Sequence, residues 1–260
     1  MTTPSTAAFA RTVRGSGPGL LLAHGAGGGV EANYGPIMEG LAARHTVVGV
    51  DYPGTGATPK ARIALDVDEL ADQLLAAADA EGLGTFAVSG YSLGGPVAIR
   101  LAARHPERVT SLVLSASFAH ADTRAALAAS LSQQLFASGQ HILLAQYLNL
   151  MVLSETTLNA LTSAQVQATA EQLARTFPAG TGDQFDLVRR VDVRDDLAGI
   201  AVPTLVVVTT ADPLISPALQ RQLAAAIPTA ETAELPTGHL PFAERPQEWL
   251  ELISDFLTRS

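Results

Sequence analysis

The sequence predicts an α/β protein built on a doubly wound, mostly parallel sheet, with a helical insertion. Three observations support this class. Short apolar runs alternate with segments in which apolar residues recur every three or four positions, which is the pattern of strands joined by amphipathic helices. Four of these runs are followed directly by polar residues with chemically useful side chains. Between residues 119 and 190 the strand pattern disappears and the sequence becomes helical in character.

The apolar runs predict five strands, and the segments between them predict helices on both faces of the sheet. The strands are predicted at residues 20–23, 46–50, 86–88, 109–114 and 204–208. The clearest helical segments are residues 34–44, 67–80 and 95–104. A weaker strand ends near residue 235, and residues 246–257 predict a closing amphipathic helix with Pro246 in its first turn.

The length of 260 residues is sufficient for one large domain with a complete core. We predict that residues 1–118 and 191–260 form this core. Residues 119–190 are rich in Ala, Leu, Gln and Ser, and they predict a helical cap with breaks near residues 138–139 and 178–180.

Charge and composition argue against several classes of partner. The formal net charge is −9 without a basic cluster, so neither nucleic acid nor a membrane surface is expected to bind. No apolar run approaches the roughly 18 residues of a membrane span. The absence of cysteine fits a reducing compartment, and residues 1–6 lack the basic and apolar regions of a secretory signal. We therefore expect a cytoplasmic protein that acts on a small molecule, and the sequence leaves open whether it forms a homo-oligomer.

The alanine- and arginine-rich composition, with a single lysine, is typical of a G+C-rich bacterial genome.

The most informative motif is the pentad Gly90-Tyr91-Ser92-Leu93-Gly94, which lies between a predicted strand and a predicted helix. Gly-x-Ser-x-Gly in this context is the nucleophile-elbow pattern, a sharp turn that exposes the serine hydroxyl. The flanking glycines allow the strand and helix backbones to pass close together. A serine at the N-terminus of a helix also meets backbone N–H groups that can stabilise an oxyanion. The motif predicts Ser92 as a nucleophile.

A serine nucleophile needs an imidazole base, and the base needs a carboxylate that fixes its tautomer. Asp212 follows the strand predicted at 204–208, and His239 follows the weaker strand near 235. Ser92, Asp212 and His239 therefore occur in the chain order serine, acid, histidine. Taken alone, Asp212 is also a common turn residue before proline, and His239 is also a common loop residue. Their order and context predict catalytic roles for both.

These motifs together resemble the α/β-hydrolase superfamily over nearly the whole chain, from Gly19 to Ser260. The segment His24-Gly25-Ala26-Gly27 resembles the oxyanion loop of that family, and residues 51–56 resemble the glycine-rich loop after its next strand. The C-terminal part is similar to the family through Gly238-His239, Phe242, Glu244, Pro246 and Phe256. The resemblance implies a nucleophile at Ser92, a general base and acid at His239, and an orienting carboxylate at Asp212.

The resemblance also implies that the backbone N–H groups of Leu93 and Ala26 form the oxyanion hole. The run Gly27-Gly28-Gly29 departs from the commonest family pattern, because it makes this loop richer in glycine. Gly27 is therefore an alternative donor to Ala26. His24 ends a predicted strand, and we expect it to hold the loop through hydrogen bonds of its ring.

The substrate pocket is less well defined by the sequence. Tyr91, His120, Tyr147 and Leu240 are candidates for its walls, because they lie within the elbow, at the start and in the middle of the cap, and beside His239. Alternatively, His120 is a polar residue of the hinge before the cap, and Tyr147 packs against other apolar residues of the cap. The sequence has no cysteine, no His-x-x-x-His pair and no acidic cluster with ligand spacing, so neither a metal nor a cofactor is predicted.

The predicted function is hydrolysis of a small, largely apolar ester, thioester or lactone through an acyl-enzyme on Ser92. The alternatives that keep the same three residues are hydrolysis of a carbon–carbon bond beside a carbonyl, acyl transfer, and perhydrolysis without a cofactor. A third class is a ligand-binding or biosynthetic pathway protein with little turnover. Fold analogy does not separate these functions.

Overall fold

A computed structural model describes residues 9–260 of the chain. Its seven strands are β1 (Arg11–Arg14), β2 (Gly19–Ala23), β3 (Thr46–Val50), β4 (Phe86–Tyr91), β5 (Val109–Ser115), β6 (Thr204–Thr209) and β7 (Ala230–Leu235). They form one sheet in the order β1-β3-β2-β4-β5-β6-β7. All neighbours pair in parallel except β1, which runs antiparallel to β3 at the edge. The predicted mostly parallel sheet is confirmed.

Strand β1 was not predicted, because its four residues lack an apolar run. Arg11 and Arg14 at its ends are exposed, and the two residues between them are only half-buried. Pairing with β3, from Arg11 with Val50 to Arg14 with Val47, creates the strand. An edge strand of this kind depends on its neighbour and carries little signal of its own.

The first six helices are α1 (Val30–Ala42), α2 (Val67–Ala80), α3 (Gly94–Arg104), α4 (Thr123–Ala137), α5 (His141–Val152) and α6 (Glu155–Ala160). They are followed by α7 (Ser163–Thr176), α8 (Thr181–Arg190), α9 (Arg194–Leu197), α10 (Pro217–Ala226), α11 (Pro241–Glu244) and α12 (Pro246–Arg259). Helix α1 begins four residues before its predicted start. The Asp51 carboxylate accepts a 2.9 Å hydrogen bond from the Val30 N–H and satisfies one of the first-turn donors.

The core lies in two apolar layers, one on each face of the sheet. Helices α2, α3 and α10 cover one face, where Leu74, Val97 and Leu223 are buried. Helices α1 and α12 cover the other, where Tyr34 and Trp249 are fully buried. Because both faces are covered, the central strands are apolar on both sides, which explains their continuous rather than alternating pattern.

Helices α4 to α8 lie in sequence between β5 and β6, in the range for which a cap was predicted. They pack mainly in pairs, α4 against α8 and α5 against α7. The predicted break at residues 138–139 separates α4 from α5, and Gly139 has a φ of 73° there. The break at 178–180 separates α7 from α8. The assignment of residues 119–190 to a separate cap, with 1–118 and 191–260 as the core, stays a prediction.

The prediction that the chain has no secretory signal concerns residues 1–6, which lie outside the described residues. Within residues 9–260, none of the helices combines the length and the apolar character that a membrane crossing requires.

Candidate active site

Ser92 lies at the tip of a sharp turn between β4 and α3, as the elbow motif predicts. Its φ is 52°, in the left-handed region that residues other than glycine seldom adopt. The turn requires the glycines around it, because a Cβ at Gly90 would collide with the Gly94 carbonyl and one at Gly94 with the Ala23 carbonyl. The strained serine is held from the neighbouring strand, since its N–H donates to the Ser115 carbonyl at 3.0 Å and its carbonyl accepts from the Ser117 hydroxyl at 2.8 Å.

Three side chains from distant parts of the chain meet at this turn. The His239 Nε2 atom lies 2.9 Å from the Ser92 Oγ atom, and the His239 Nδ1 atom lies 2.8 Å from the Asp212 Oδ2 atom. All three residues are buried, with exposed fractions of 7% for Ser92 and 4% for each of the others. Since a carboxylate only accepts hydrogen bonds, Nδ1 carries the ring proton of a neutral imidazole and Nε2 is free to accept the serine proton.

Asp212 is fixed at the carboxyl end of β6 by four further donors. Its Oδ1 atom accepts from the N–H groups of Leu214 and Ile215, both at 2.9 Å. Its Oδ2 atom accepts from the Thr209 hydroxyl at 2.9 Å and from the Gln220 amide at 3.3 Å. These donors satisfy a charge that would otherwise be costly to bury, and they set the direction in which the carboxylate faces His239.

His239 is held by its own backbone. Its N–H donates to the Val152 carbonyl at 2.7 Å, and its carbonyl accepts from the Tyr91 hydroxyl at 2.9 Å. The loop before it is tied by Glu244, which accepts from the Gly238 N–H at 3.2 Å and from the Ser154 N–H at 2.9 Å. The histidine loop is therefore joined both to the elbow and to the junction of α5 and α6.

The loop of residues 24–29, named here the 24–29 loop, lies beside the elbow and is anchored by His24. The His24 ring is fully buried and stacks on Tyr52 at a centroid distance of 3.8 Å. Its Nε2 atom accepts from the Tyr52 N–H at 3.0 Å, so Nδ1 carries the proton and donates to the Gly25 carbonyl at 2.8 Å. Burial lowers the pKa of His24 from 6.5 to about 4. The ring is therefore a neutral structural support, as the sequence predicts.

The two alternative donors of the 24–29 loop differ in their hydrogen bonding. The Gly27 N–H donates to the Gln184 side-chain carbonyl at 2.8 Å. Within residues 9–260 the N–H groups of Ala26 and Leu93 have no hydrogen-bond partner. Of the two alternatives, Ala26 is the one whose N–H is free to bind a ligand atom.

A mostly apolar cavity of about 240 Å³ opens beside Ser92 and His239. One side is formed by residues 26–28 of the 24–29 loop, Ala32, Asn33 and Tyr91. The side formed by the helices between β5 and β6 consists of Ala125, Ala128, Ala129, Ser132, Leu148, Val152, Leu173, Phe177, Phe185 and Val188. The remaining walls are Phe118, Leu214, Ile215, Leu240 and Phe242.

Two of the four predicted pocket residues lie in this cavity wall and two do not. Tyr91 and Leu240 line the cavity. His120 is not part of its wall, because it forms an isolated antiparallel bridge with Asp192 where the helical segment rejoins the sheet. Tyr147 is half-buried on α5, one position before Leu148, which does reach the cavity. Neighbouring residues of a helix point in different directions, so Tyr147 lies on the helix that reaches the cavity but on a different face from Leu148.

Several polar residues of the site carry no motif and were not predicted. Gln184, Asn33 and Gln220 are buried and bind the 24–29 loop or Asp212 through side-chain amides. Asp51 follows β3 directly, but its carboxylate caps α1 and is not part of the cavity wall. In the described part of the chain, no group of three or more His, Asp or Glu side chains is placed to hold a metal ion.

Comparison with known proteins agrees with this geometry. A family model described as alpha/beta hydrolase fold matches residues 18–246. The chain belongs to the α/β-hydrolase family. The predicted fold class is thereby confirmed, and the chain is similar to hydrolases over most of its length.

Among the curated relatives of this family member is pyrrolizixenacetamide deacetylase of Xenorhabdus hominickii, 32% identical over 94% of this chain and 92% of the relative. Another is the pimeloyl-[acyl-carrier protein] methyl ester esterase of Aeromonas hydrophila, 31% identical over 94% of this chain and 96% of the relative. A thermophilic esterase from Thermogutta terrifontis shares the fold with a TM-score of 0.84, at 24% identity, over 99% of this chain and 97% of that one. The two relatives support hydrolase activity in general, and the solved structure supports the fold.

Proposed function

We propose that this α/β-hydrolase is a serine hydrolase that cleaves a small, largely apolar ester, thioester or lactone through an acyl-enzyme on Ser92. The observation that carries the proposal is the continuous hydrogen-bonded chain from the Ser92 Oγ atom through the His239 ring to the Asp212 carboxylate, at the wall of an apolar cavity. The names of the relatives, a deacetylase and a methyl ester esterase, support acyl hydrolysis as the reaction type.

In the first half of the reaction, the Ser92 oxygen attacks the carbonyl carbon of the substrate and its proton passes to His239 Nε2. The imidazolium that forms is stabilised by Asp212, whose Oδ2 atom accepts from Nδ1. The carbonyl oxygen becomes an oxyanion, and we assign its donors as the N–H groups of Leu93 and Ala26. Leu93 immediately precedes α3, so the positive end of the helix dipole adds to this stabilisation.

As the tetrahedral intermediate collapses, His239 gives its proton to the leaving oxygen or sulfur. An alcohol or a thiol then departs, whereas the new hydroxyl of an opened lactone stays attached to the acyl chain. The acyl group stays on Ser92 as an ester. Water then attacks the acyl carbon while His239 accepts one of its protons, and collapse of the second tetrahedral intermediate returns that proton to Ser92 and releases the acid. Every step uses side chains that already lie within hydrogen-bond distance of one another.

The size and polarity of the cavity favour a small substrate. Its volume of about 240 Å³ lies just below the ~300–1,000 Å³ range of small-molecule pockets. None of its walls is an Asp, Glu, Lys or Arg residue. An apolar acyl or ring portion would fill it without burying an uncompensated charge.

The proposal is tested with Ser92→Ala and Asp212→Asn on p-nitrophenyl esters of short acyl chains. Ser92→Ala is expected to lower kcat by about 10⁴-fold or more, and Asp212→Asn by up to about 10⁴-fold because the asparagine favours the wrong imidazole tautomer. Stoichiometric labelling of Ser92 by a fluorophosphonate is the second readout. Turnover by Ser92→Ala equal to that of the parent would overturn the mechanism.

Amide hydrolysis is a second candidate, supported by the deacetylase among the relatives. The same acyl-enzyme serves both bonds, and the difference lies in protonation of an amine leaving group by His239. Matched ester and acetamide substrates with the same acyl portion separate the two. Product analysis in ¹⁸O-labelled water identifies hydrolysis, which incorporates the label into the acid, and distinguishes it from acyl transfer.

A further inference from the structure

We propose that Ser132 is a specificity-determining residue, and that the substrate carries a neutral hydrogen-bonding oxygen several bonds away from the scissile carbonyl. The proposal rests on the proposed acyl-hydrolase function and assigns its substrate class: small esters whose apolar portion contains a hydroxyl, ether or keto oxygen.

The first observation concerns the face that α4 presents to the cavity. Ala125, Ala128, Ala129 and Ser132 all line it, and their spacing of three and four places them on one side of the helix. The three alanines leave the space that a substrate needs. Ser132 interrupts this apolar face with one hydroxyl.

The second observation is that the Ser132 hydroxyl has no hydrogen-bond partner among residues 9–260. The residue is 1% exposed, and no side-chain or backbone group of residues 9–260 hydrogen-bonds to its Oγ atom. A hydroxyl at an otherwise apolar cavity wall loses hydration that the alanines at the adjacent cavity positions do not need. A serine in a helix interior can bond a carbonyl of the preceding turn, as Thr169 does with Val166 on α7, but Ser132 does not. Its hydroxyl is therefore available to a molecule in the cavity.

The position of Ser132 along α4 separates it from the end of the helix that contacts the Asp212 loop. The first turn of α4 is tied to the Asp212 loop, since Arg124 donates to the Pro213 carbonyl at 2.9 Å. Ser132 lies seven residues beyond Ala125, about 10 Å further along the helix axis. In the proposal, the hydroxyl contacts a part of the ligand other than the carbonyl that Ser92 attacks.

The charge of the cavity wall defines the kind of group that Ser132 binds. No arginine or lysine is part of the wall, so a carboxylate on the remote part of the substrate would lose its hydration without gaining a counter-charge. A serine hydroxyl both donates and accepts, which suits a neutral oxygen of any of the three classes. Among residues 9–260, Asn33 and Tyr91 are the other non-catalytic polar residues of the wall. The Asn33 Oδ1 atom accepts from the Gly25 N–H at 2.9 Å, and the Tyr91 hydroxyl donates to the His239 carbonyl at 2.9 Å.

The test compares matched p-nitrophenyl and alkyl esters in which an ether oxygen replaces one methylene or a hydroxyl replaces one hydrogen. The oxygen is moved one carbon at a time along the acyl side in one series and along the alcohol side in another. The wild-type protein is expected to prefer one oxygenated ester over its carbon isostere by about 10-fold in kcat/KM. Ser132→Ala is expected to abolish this preference. Ser130→Ala, on the same helix but outside the cavity wall, is the matched control and is expected to keep it.

The outcomes separate the two proposals. An oxygen preference that is the same in the wild type and in Ser132→Ala, or no preference at any position of either series, would overturn the role of Ser132 while ester hydrolysis stands. Preference for an ω-carboxylate ester over the neutral oxygenated ester would overturn the charge argument. Failure of the wild type to hydrolyse every ester, together with no fluorophosphonate labelling of Ser92, would overturn the proposed function and this assignment with it.

Discussion

The Gln184 side-chain carbonyl accepts a 2.8 Å hydrogen bond from the Gly27 N–H, although the two residues are 157 positions apart in the sequence. The amide of the same side chain donates to the Thr55 hydroxyl at 2.9 Å. Gln184 is fully buried on α8. One side chain thus fixes the 24–29 loop to helix α8. It also accepts the hydrogen bond of the Gly27 N–H, which would otherwise compete with the Ala26 N–H as a donor to the substrate.

Gln184→Met is expected to lower kcat and to destabilise the protein by about 1–3 kcal/mol, because it keeps the volume but leaves the Gly27 N–H without its acceptor. Thr55→Val is the matched control, since it removes the other partner of the amide and leaves the Gly27 bond in place. Ester kinetics and urea denaturation measure both effects. Equal losses of kcat in the two variants would mean that the bond to Gly27 has no special role.

Ala26→Pro is expected to lower kcat by about 10²–10³-fold, because proline removes the N–H that we assign to the oxyanion. Ala26→Ser retains the N–H and serves as the control. Circular dichroism establishes that both variants are folded. If Ala26→Pro retains kcat within a few-fold of the parent, the donor is another group and the assignment fails.

Glu244→Ala is expected to lower kcat more than it raises KM, because the loop that carries His239 loses its tie to Ser154. The carboxylate accepts from the Ser154 N–H, the Gly238 N–H and the Ser154 hydroxyl at 2.7–3.2 Å. Glu244→Gln keeps one oxygen for the two N–H groups and is expected to restore most of kcat. A glutamine variant as impaired as the alanine variant would show that charge, and not positioning, matters here.

His24 makes folding stability depend on pH. Its pKa is about 4 in the folded protein and 6.5 in a solvated chain, because burial disfavours the imidazolium. As the pH falls from 6.5 to 4, the unfolded chain takes up a proton that the folded protein does not, and stability falls by about 3 kcal/mol. Above pH 6.5 both states are neutral and the residue causes no pH dependence.

The measurement is the free energy of unfolding in urea at pH 7 and near pH 4, for the parent and for His24→Gln. The variant is expected to be less stable at both pH values, because the glutamine cannot reproduce both ring hydrogen bonds. Its loss between the two pH values should be smaller than that of the parent by about 3 kcal/mol. An identical pH dependence in the two proteins would contradict the burial effect.

Local patterns predicted the central elements well. Strand β3 and helix α2 have the bounds that their apolar runs and helical period predict. The elbow is predictable because its sharp turn requires particular residues next to the serine. Only glycine fits at positions 90 and 94. Strand β1 was missed because its conformation comes from pairing with β3 and not from its own side chains.

The roles proposed for Ser92, Asp212 and His239 follow from chain order and strand ends, because parallel strands bring their carboxyl ends to one edge of the sheet. The supporting residues follow no such rule. Gln184, Asn33 and Gln220 look like ordinary polar residues of helices, and they become part of the site only where helices cross the loops. His120 and Tyr147 show the converse, since a suitable residue on a suitable segment lies outside the cavity wall.

The amino-acid sequence by itself determined the α/β class, the positions of the central strands and the residues that we propose for acyl chemistry, because those depend on apolar periodicity and on short-range sterics. Only the tertiary structure decided which N–H of the 24–29 loop is free and which helix faces line the cavity. It also decided that Ser132 stands there with an unpaired hydroxyl. These features arise from contacts between segments far apart in the chain, where the direction of a side chain depends on packing and not on its neighbours in sequence.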